Sequence, residues 1–279
     1  MTYRDEDYAS GLGNRIIEGA EDYASGLEGI TYDADAQAFF TAAGITDDTQ
    51  KTAINDLVVG LKADSLWAKM KAIYPFVGGT AATHKFNLKD PRDLDAAYRL
   101  LYNGTIVHSA TGVKPDGTTG FATTQLSPDA LGQYNCGMSL YSRTNDATPS
   151  TVGIDIGYSG ATQFYMRLRE SGGGLTSSSL GANGGSGFVD ANAMGFYTTV
   201  RSSSTNRRIY KNGVLQLTDA TANTDVLPSG NIALGQATNL YTNRDYAMMM
   251  IHTNLSDTEA ANLYTRVLTF QTALSRAVI

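Results

Sequence analysis

Carboxylates are the first side chains to consider, because hydrolysis of a glycosidic bond needs two of them facing one cleft. After Glu28 the sequence contains only two glutamates, Glu170 and Glu259, and they lie far apart. Glu259 belongs to a helix-capping pattern over residues 256–259. Asp155 stands alone between apolar neighbours, which favours a bond to backbone or to an arginine. We therefore expect no catalytic residue and no enzyme activity.

Metal and cofactor ligands are equally sparse in the sequence. The histidines His84, His108 and His252 are widely separated, and none has a Glu or Cys at ligand spacing. Asp116-Gly117 lacks the alternating acids of a calcium loop and predicts a turn. The glycine-rich stretches are not followed by the lysine of a phosphate-binding loop. The sequence predicts neither a metal nor a cofactor.

Carbohydrate recognition requires aromatic rings and amide side chains on exposed loops, and the chain has such residues. The candidate glycan contacts are Tyr141, Arg143, Asn145, Tyr158, Tyr241 and Asn243. Tyrosine on a strand, however, more often packs its ring in the core and leaves its hydroxyl at the rim. Glycan binding is therefore an alternative to a purely structural role.

Composition limits the class of protein further. The chain has 279 residues, of which 42% are hydrophobic and 17% charged, with a formal net charge of −6. This charge offers no basic surface for nucleic acid, and the single Cys136 cannot form an intramolecular disulfide. The longest notable apolar run, 247–251, is too short for a membrane span. The acidic amino terminus lacks the features of a secretory signal.

The first 30 residues differ in charge from the rest of the chain. Residues 1–29 contain seven acids and two bases, which give −5 of the total −6. Within them Glu6–Leu12 recurs unchanged as Glu21–Leu27. A disordered acidic leader that duplicated without consequence is one explanation. The other is a docking arm in which each copy offers a tyrosine and a leucine to a partner, through Tyr8, Leu12, Tyr23 and Leu27.

The remaining sequence predicts a short helical segment over 31–72 and a β domain over 73–279. Alanine and phenylalanine spacing predicts a helix from 34 that ends at Gly44, and Asp47 with Gln50 predicts the start of a second. Candidate strands are 73–78, 83–89, 96–102, 105–109, 119–126, 133–143, 151–158, 162–170, 193–201, 206–211, 214–218, 230–235 and 244–252. Asn212-Gly213 marks the clearest hairpin, and 171–187 is predicted to be a glycine-rich surface loop.

Many short strands without long intervening helices favour an antiparallel sandwich or barrel. The hairpin Ile209–Leu215, the strands Asn231–Gly235 and Tyr246–His252, and the helix start at 255–260 resemble the last third of laminin-G-like, concanavalin-A-like jelly rolls. The block Tyr74–Leu100 resembles one at the start of such domains in bacteriophage structural proteins. The resemblance implies a mainly β jelly roll, preceded by a helical segment and an extended arm and closed by a carboxy-terminal helix.

The resemblance also implies a function. We expect a non-enzymatic bacteriophage virion protein of the fibre or capsid-surface type, made in the host cytoplasm and docked through its amino-terminal arm. Its expected partners are capsid, tail or fibre subunits and further copies of itself, with neither nucleic acid nor membrane insertion. The alternatives are a carbohydrate-binding host-adhesion module and, third, a degraded glycosidase.

The arm hypothesis predicts that residues 1–29 carry attachment and contribute little to fold stability. A 30–279 truncation should fail to assemble onto particles that lack the protein, while its melting temperature stays close to that of the intact chain. Tyr8→Ala and Tyr23→Ala should each weaken assembly, and the double variant should weaken it most, because linked sites gain from effective concentration. Incorporation of the truncation at normal copy number would contradict the hypothesis.

Overall fold

The computed structural model describes residues 31–145, 153–170, 174–182 and 185–278. The predicted docking residues Tyr8, Leu12, Tyr23 and Leu27 lie outside these ranges. Asp33–Ile279 forms one compact unit. Within the described residues, no helix combines the length and apolarity that crossing a membrane requires.

The described residues contain four α-helices and many short strands. The helices are α1 (Ala34–Ala43), α2 (Asp48–Ala63), α3 (Ala81–His84) and α4 (Asp257–Ala273). The strands are β1 (Met70–Tyr74), β2 (Leu101–Asn103), β3 (Ile106–Ser109), β4 (Gly112–Pro115), β5 (Phe121–Thr123), β6 (Cys136–Ser142), β7 (Ile156–Ser159), β8 (Gln163–Arg167), β9 (Leu175–Ala182), β10 (Ser186–Val189), β11 (Gly195–Ser203), β12 (Asn206–Lys211), β13 (Val214–Asp219), β14 (Ala233–Leu234), β15 (Gln236–Ala237), β16 (Leu240–Tyr241) and β17 (Tyr246–His252).

The helices begin and end where local hydrogen bonding predicts. The Asp47 carboxylate accepts a hydrogen bond from the Gln50 backbone N–H at the start of α2. α1 ends at Gly44, whose φ of +66° is in the left-handed region that favours glycine. Ser256 and Glu259 form the predicted capping box of α4. These three predictions are confirmed.

Two antiparallel sheets form the sandwich. The first sheet has the order β13-β12-β11-β6-β17-β4-β3, and β1 also pairs with β17. The second sheet has the order β10-β9-β8-β7-β14-β5-β2. A separate two-stranded hairpin pairs β15 with β16. This mainly β arrangement, closed by α4, confirms the predicted jelly-roll sandwich.

The core lies between the two sheets, where each strand contributes alternate side chains. Side chains no more than 1% exposed come from both sheets: Met138, Leu140, Met249 and Ile251 from the first, and Ile156, Phe164, Met166, Leu180 and Leu234 from the second. β6 and β17 are buried at every position. Helix α4 packs against α2 and over β11 and β13, so the first sheet is covered on part of its outer face.

Several local predictions were wrong, among them the strand 96–102, which begins as a 3₁₀ turn over Asp95–Ala97. The predicted strand 83–89 begins instead as the short helix α3, because Thr80 and Thr83 form a capping box. The predicted loop 171–187 contains β9 and β10, which pair with each other while β9 also pairs with β8. Serine is accommodated in these strands because its buried hydroxyl can be paired. Ser178 is buried and shares a 2.8 Å hydrogen bond with Thr199 of the first sheet.

The burial of α4 yields a stability prediction. Leu263 is fully buried on this helix, so Leu263→Ala should lower the free energy of unfolding by about 2–5 kcal/mol. Leu94→Ala is the matched control because Leu94 is 51% exposed, and it should change stability by less than about 0.5 kcal/mol. Urea unfolding measures both. Equal midpoints for the two variants would show that α4 does not contribute to the core.

Candidate functional site

Asp155 is a structural residue in the core. It is fully buried, and its Oδ1 lies 2.9 Å from Nη1 of Arg244. The Leu168 backbone N–H donates to Oδ2 at 2.7 Å, and the Tyr246 hydroxyl donates to Oδ1 at 2.5 Å. Burial, aided by the Asp155 charge, holds the pKa of Tyr246 well above its usual value. The predicted bonding of Asp155 to backbone and arginine is confirmed.

The two late glutamates also have structural partners. Glu170 Oε1 lies 3.3 Å from Nη1 of Arg167 and accepts a hydrogen bond from the Ser177 hydroxyl at 2.9 Å. Glu259 caps α4 and forms an ion pair with Lys69 at 2.6 Å. Each carboxylate is therefore used by the fold around it.

The structure brings together two histidines that the sequence separates. Nδ1 of His84 lies 3.1 Å from Nδ1 of His108, and the Gly79 N–H donates to Nε2 of His84 at 3.2 Å. The Gly79 bond requires the proton of neutral His84 on Nδ1, so His84 donates to His108. Burial lowers the pKa of His84 to about 3, which keeps it neutral. Among the described residues, no group of three potential ligands could hold a metal ion.

A serine–histidine pair lies inside the first sheet, and sequence spacing gave no sign of it. Nε2 of His252 lies 2.8 Å from the Ser139 hydroxyl, and Nδ1 lies 2.8 Å from the Thr253 carbonyl. Both side chains are fully buried, so no substrate can reach the hydroxyl. The pair satisfies buried polar atoms.

Asp116 organises a turn, as predicted. Its Oδ1 accepts hydrogen bonds from the backbone N–H groups of Thr118, Thr119 and Gly120 at 2.9, 2.8 and 2.7 Å. Hydrogen bonds from these amides and from the two threonine hydroxyls hold the pKa of the carboxyl well below its usual range.

Three of the glycan candidates are engaged in structural contacts. Tyr141 lies in β6 rather than in a loop, is 1% exposed, and its hydroxyl accepts from the Val278 N–H at 2.8 Å. Arg143 pairs with Asp245 at 3.1 Å. Asn145 Oδ1 accepts from Ala193 N–H at 3.0 Å, which ties it to a neighbouring loop.

Of the other three candidates, Tyr158 lies on the second sheet, Tyr241 lies in the β15–β16 hairpin and Asn243 follows that hairpin. Tyr241, in β16, is half-buried with its ring 6.2 Å from that of Phe121. Asn243 is also half-buried and lies beside Gly117. Tyr158, near the end of β7, lines a pocket on the second sheet, and none of the other five candidates lines that pocket.

This pocket has a volume of about 380 Å³, within the range of small-ligand sites. Its lining residues carry no charge: Thr123, Gly157, Tyr158, Ser159, Asn231, Ala233, Gln236, Ala237 and Thr238. We call it the Tyr158 pocket.

The floor of the Tyr158 pocket is made by adjacent strands of the second sheet. Ala233 of β14 pairs with Thr123 of β5 on one side and with Gly157 of β7 on the other. The neighbouring residues Ile156 and Leu234 point into the core, so these three positions face outward. Small residues here leave room above the sheet.

One wall is the β15–β16 hairpin, which packs over β7. Ile154, Tyr165 and Ala237 form a small apolar cluster that is separate from the main core. At the hairpin tip, the Thr238 hydroxyl donates a hydrogen bond to the Ser159 carbonyl. This bond connects the hairpin to the end of β7.

Two glycines lie close to opposite edges of the Tyr158 ring. A Cβ at Gly230 would lie 2.0 Å from its Cε2 atom, and one at Gly160 would lie 2.9 Å from its Cε1 atom. The ring therefore depends on the absence of side chains at both positions. Among the described residues, none forms a hydrogen bond with the Tyr158 hydroxyl. The arrangement offers a fixed aromatic group with a polar atom available to a ligand.

No family model and no curated protein matches the sequence. Solved structures do match the fold. The binding domain of botulinum neurotoxin DC, solved with rat synaptotagmin II, is 14% identical at a TM-score of 0.52, with 71% of this chain and 52% of that chain covered. A botulinum neurotoxin type C structure, described with cell entry dependent on two ganglioside molecules, is 12% identical at 0.50, covering 73% and 52%.

Domain 4 of the GH43 extracellular arabinanase AbnA from Geobacillus stearothermophilus, in complex with arabinotriose, is 11% identical at a TM-score of 0.48, with 70% of this chain and 98% of that chain covered. The present chain spans about half the length of the neurotoxin chains that it matches. At these identities the neurotoxin matches establish the fold alone, and they agree with the sandwich described above.

The buried ion pair leads to a prediction about stability. Asp155→Asn removes the charge that faces Arg244, and leaving a buried guanidinium without its counter-charge should cost about 3–5 kcal/mol. The control is Asp48→Asn, because the Asp48 side chain, which pairs with Lys51, is 84% exposed, and the loss there should be below about 1 kcal/mol. Chemical unfolding would compare them. A similar small loss in both variants would contradict the role assigned to Asp155.

Proposed function

We propose that this protein is a non-enzymatic carbohydrate-binding module and that the Tyr158 pocket is its glycan site. The observation that carries the proposal is the fixed Tyr158 ring beside a floor of small residues. Apolar C–H groups of a sugar ring can pack on such an aromatic face. A few well-placed polar groups then determine the orientation of the ligand.

The polar groups around the pocket suit sugar hydroxyls. Asn231 and Gln236 provide amides, which both donate and accept hydrogen bonds, and Thr123, Ser159 and Thr238 provide hydroxyls. None of the lining side chains carries a charge that could pair with a carboxylate or sulfate. A neutral sugar therefore fits the site best.

The fold gives associative support. The neurotoxin structures similar to this chain are binding domains or are described with ganglioside interaction. A shared fold does not transfer a site, because unrelated functions occur on the same sandwich. The proposal therefore depends on the geometry around Tyr158.

We further propose that the module is displayed on a bacteriophage virion and serves in host attachment. The resemblance of Tyr74–Leu100 to phage structural proteins supports this setting, as does the acidic repeat within residues 1–30. Capsid, tail or fibre subunits would be the partners of the arm, and copies of the chain would associate. Mass spectrometry of purified virions, followed by immunogold electron microscopy, tests the proposal. Absence of the protein from virions would refute it.

The glycan proposal predicts measurable binding to neutral oligosaccharides of bacterial surfaces on a glycan array. Tyr158→Ala should weaken that binding by about tenfold, because the aromatic contact is lost. Tyr158→Phe should retain most of it. Tyr134→Ala is a control, since Tyr134 is 38% exposed and lies outside the pocket.

Circular dichroism would verify that each variant is folded. Equal binding by Tyr158→Ala and the unchanged protein would exclude this pocket as the site. Cleavage of an array polysaccharide that disappears in Glu170→Gln would instead identify an enzyme.

A further inference from the structure

Two hairpins in this protein use the same kind of two-residue turn with different residues. The β12–β13 turn is Asn212-Gly213, with φ of +50° and +74°. The β15–β16 turn is Thr238-Asn239, with φ of +52° and +63°. Positive φ at both positions is typical of a type I′ turn, for which Asn-Gly is strongly preferred. The two turns differ in what surrounds them, because Thr238 lines the Tyr158 pocket.

Threonine is an unfavourable residue for this backbone conformation. A β-branched side chain in the left-handed region is a steric outlier, and such a position is unfavourable unless the surrounding structure enforces it. Asparagine or glycine would adopt the same conformation more easily. Residues kept in strained conformations cluster at ligand sites, so the chemical role of the Thr238 side chain has to be considered.

The Thr238 hydroxyl has a defined orientation. It donates its hydrogen to the Ser159 carbonyl, across the rim of the pocket. Because a hydroxyl carries one hydrogen and two lone pairs, Oγ1 is left as an acceptor. Thr238 is exposed, so a ligand hydroxyl can reach this atom. The bond to Ser159 thus fixes an acceptor at the pocket wall.

We propose that Thr238 is a specificity-determining residue, whose Oγ1 accepts a hydrogen bond from a hydroxyl of a neutral sugar bound against Tyr158. This inference rests on the proposed glycan-binding function. A sugar that lacks a hydroxyl at that position would leave the acceptor unpaired, and the site would discriminate against it. The strained turn is retained because it places this acceptor.

The test uses three variants of the full chain. Thr238→Gly removes the acceptor, Thr238→Ser keeps it without the β-branched methyl, and Asn239→Gly alters the neighbouring turn position, which does not line the pocket. The probe is the neutral oligosaccharide that the unchanged protein binds most strongly on the glycan array, titrated by calorimetry. Sialyllactose serves as a charged comparison.

Thr238→Gly should raise the Kd by about tenfold, the effect of losing one hydrogen bond in the site. Thr238→Ser and Asn239→Gly should stay within about twofold of the unchanged protein, and sialyllactose should bind more weakly than the neutral probe. A glycine variant with an unchanged Kd, or a serine variant as weak as glycine, overturns the assignment of Thr238. Loss of binding in Tyr158→Ala alone would then leave the pocket valid. Absence of any array ligand for the unchanged protein would refute the proposed function itself.

Discussion

The buried ion pair between Asp155 and Arg244 is the interaction on which the rest of the structure depends. Asp155 directly precedes β7 of the second sheet, whereas Tyr246 begins β17 of the first sheet and Arg244 lies two residues before that strand. Two buried charges cost several kcal/mol to desolvate unless geometry and hydrogen bonding compensate, so one arrangement of the sheets is selected. The Asp155 carbonyl also accepts from Gly235 N–H at 2.8 Å, which positions β14 beside β7.

The candidate site follows from that placement. β7 and β14 supply Gly157 and Ala233 to the floor, and the chain leaving β14 forms the hairpin that carries Thr238. Tyr158 is held by Gly160 and Gly230 before any ligand arrives. Preformed geometry reduces the entropy lost on binding, which matters for sugars because their hydroxyls are already well solvated by water. This preformed geometry supports the proposed role in recognition, while Asp155, Glu170 and Glu259 each form an ion pair within the fold.

Local hydrogen bonding explains which parts of the fold could be predicted from the sequence. The caps at Asp47 and Ser256 and the turns at Asn212-Gly213 and Asp116 each involve partners within about four residues, so residue type and spacing suffice. The isolation of Asp155 among apolar residues also predicted its role, since a buried carboxylate must be paired. Tyr158 was among the predicted glycan residues because a tyrosine near a turn can offer an apolar ring and a polar hydroxyl to a ligand.

The remaining features depended on partners distant in the chain. The serine- and glycine-rich 175–189 region forms strands because β8 supplies backbone partners, which composition does not reveal. Tyr141 is in the core because β6 is covered on both faces, and the His84–His108 contact exists because α3 and β3 meet in space. The Tyr158 pocket combines three strands and a hairpin whose proximity arises from sheet order. Sequence by itself determined the elements and the polar residues that must be paired; tertiary structure decided which side chains share a surface, because that depends on long-range strand pairing.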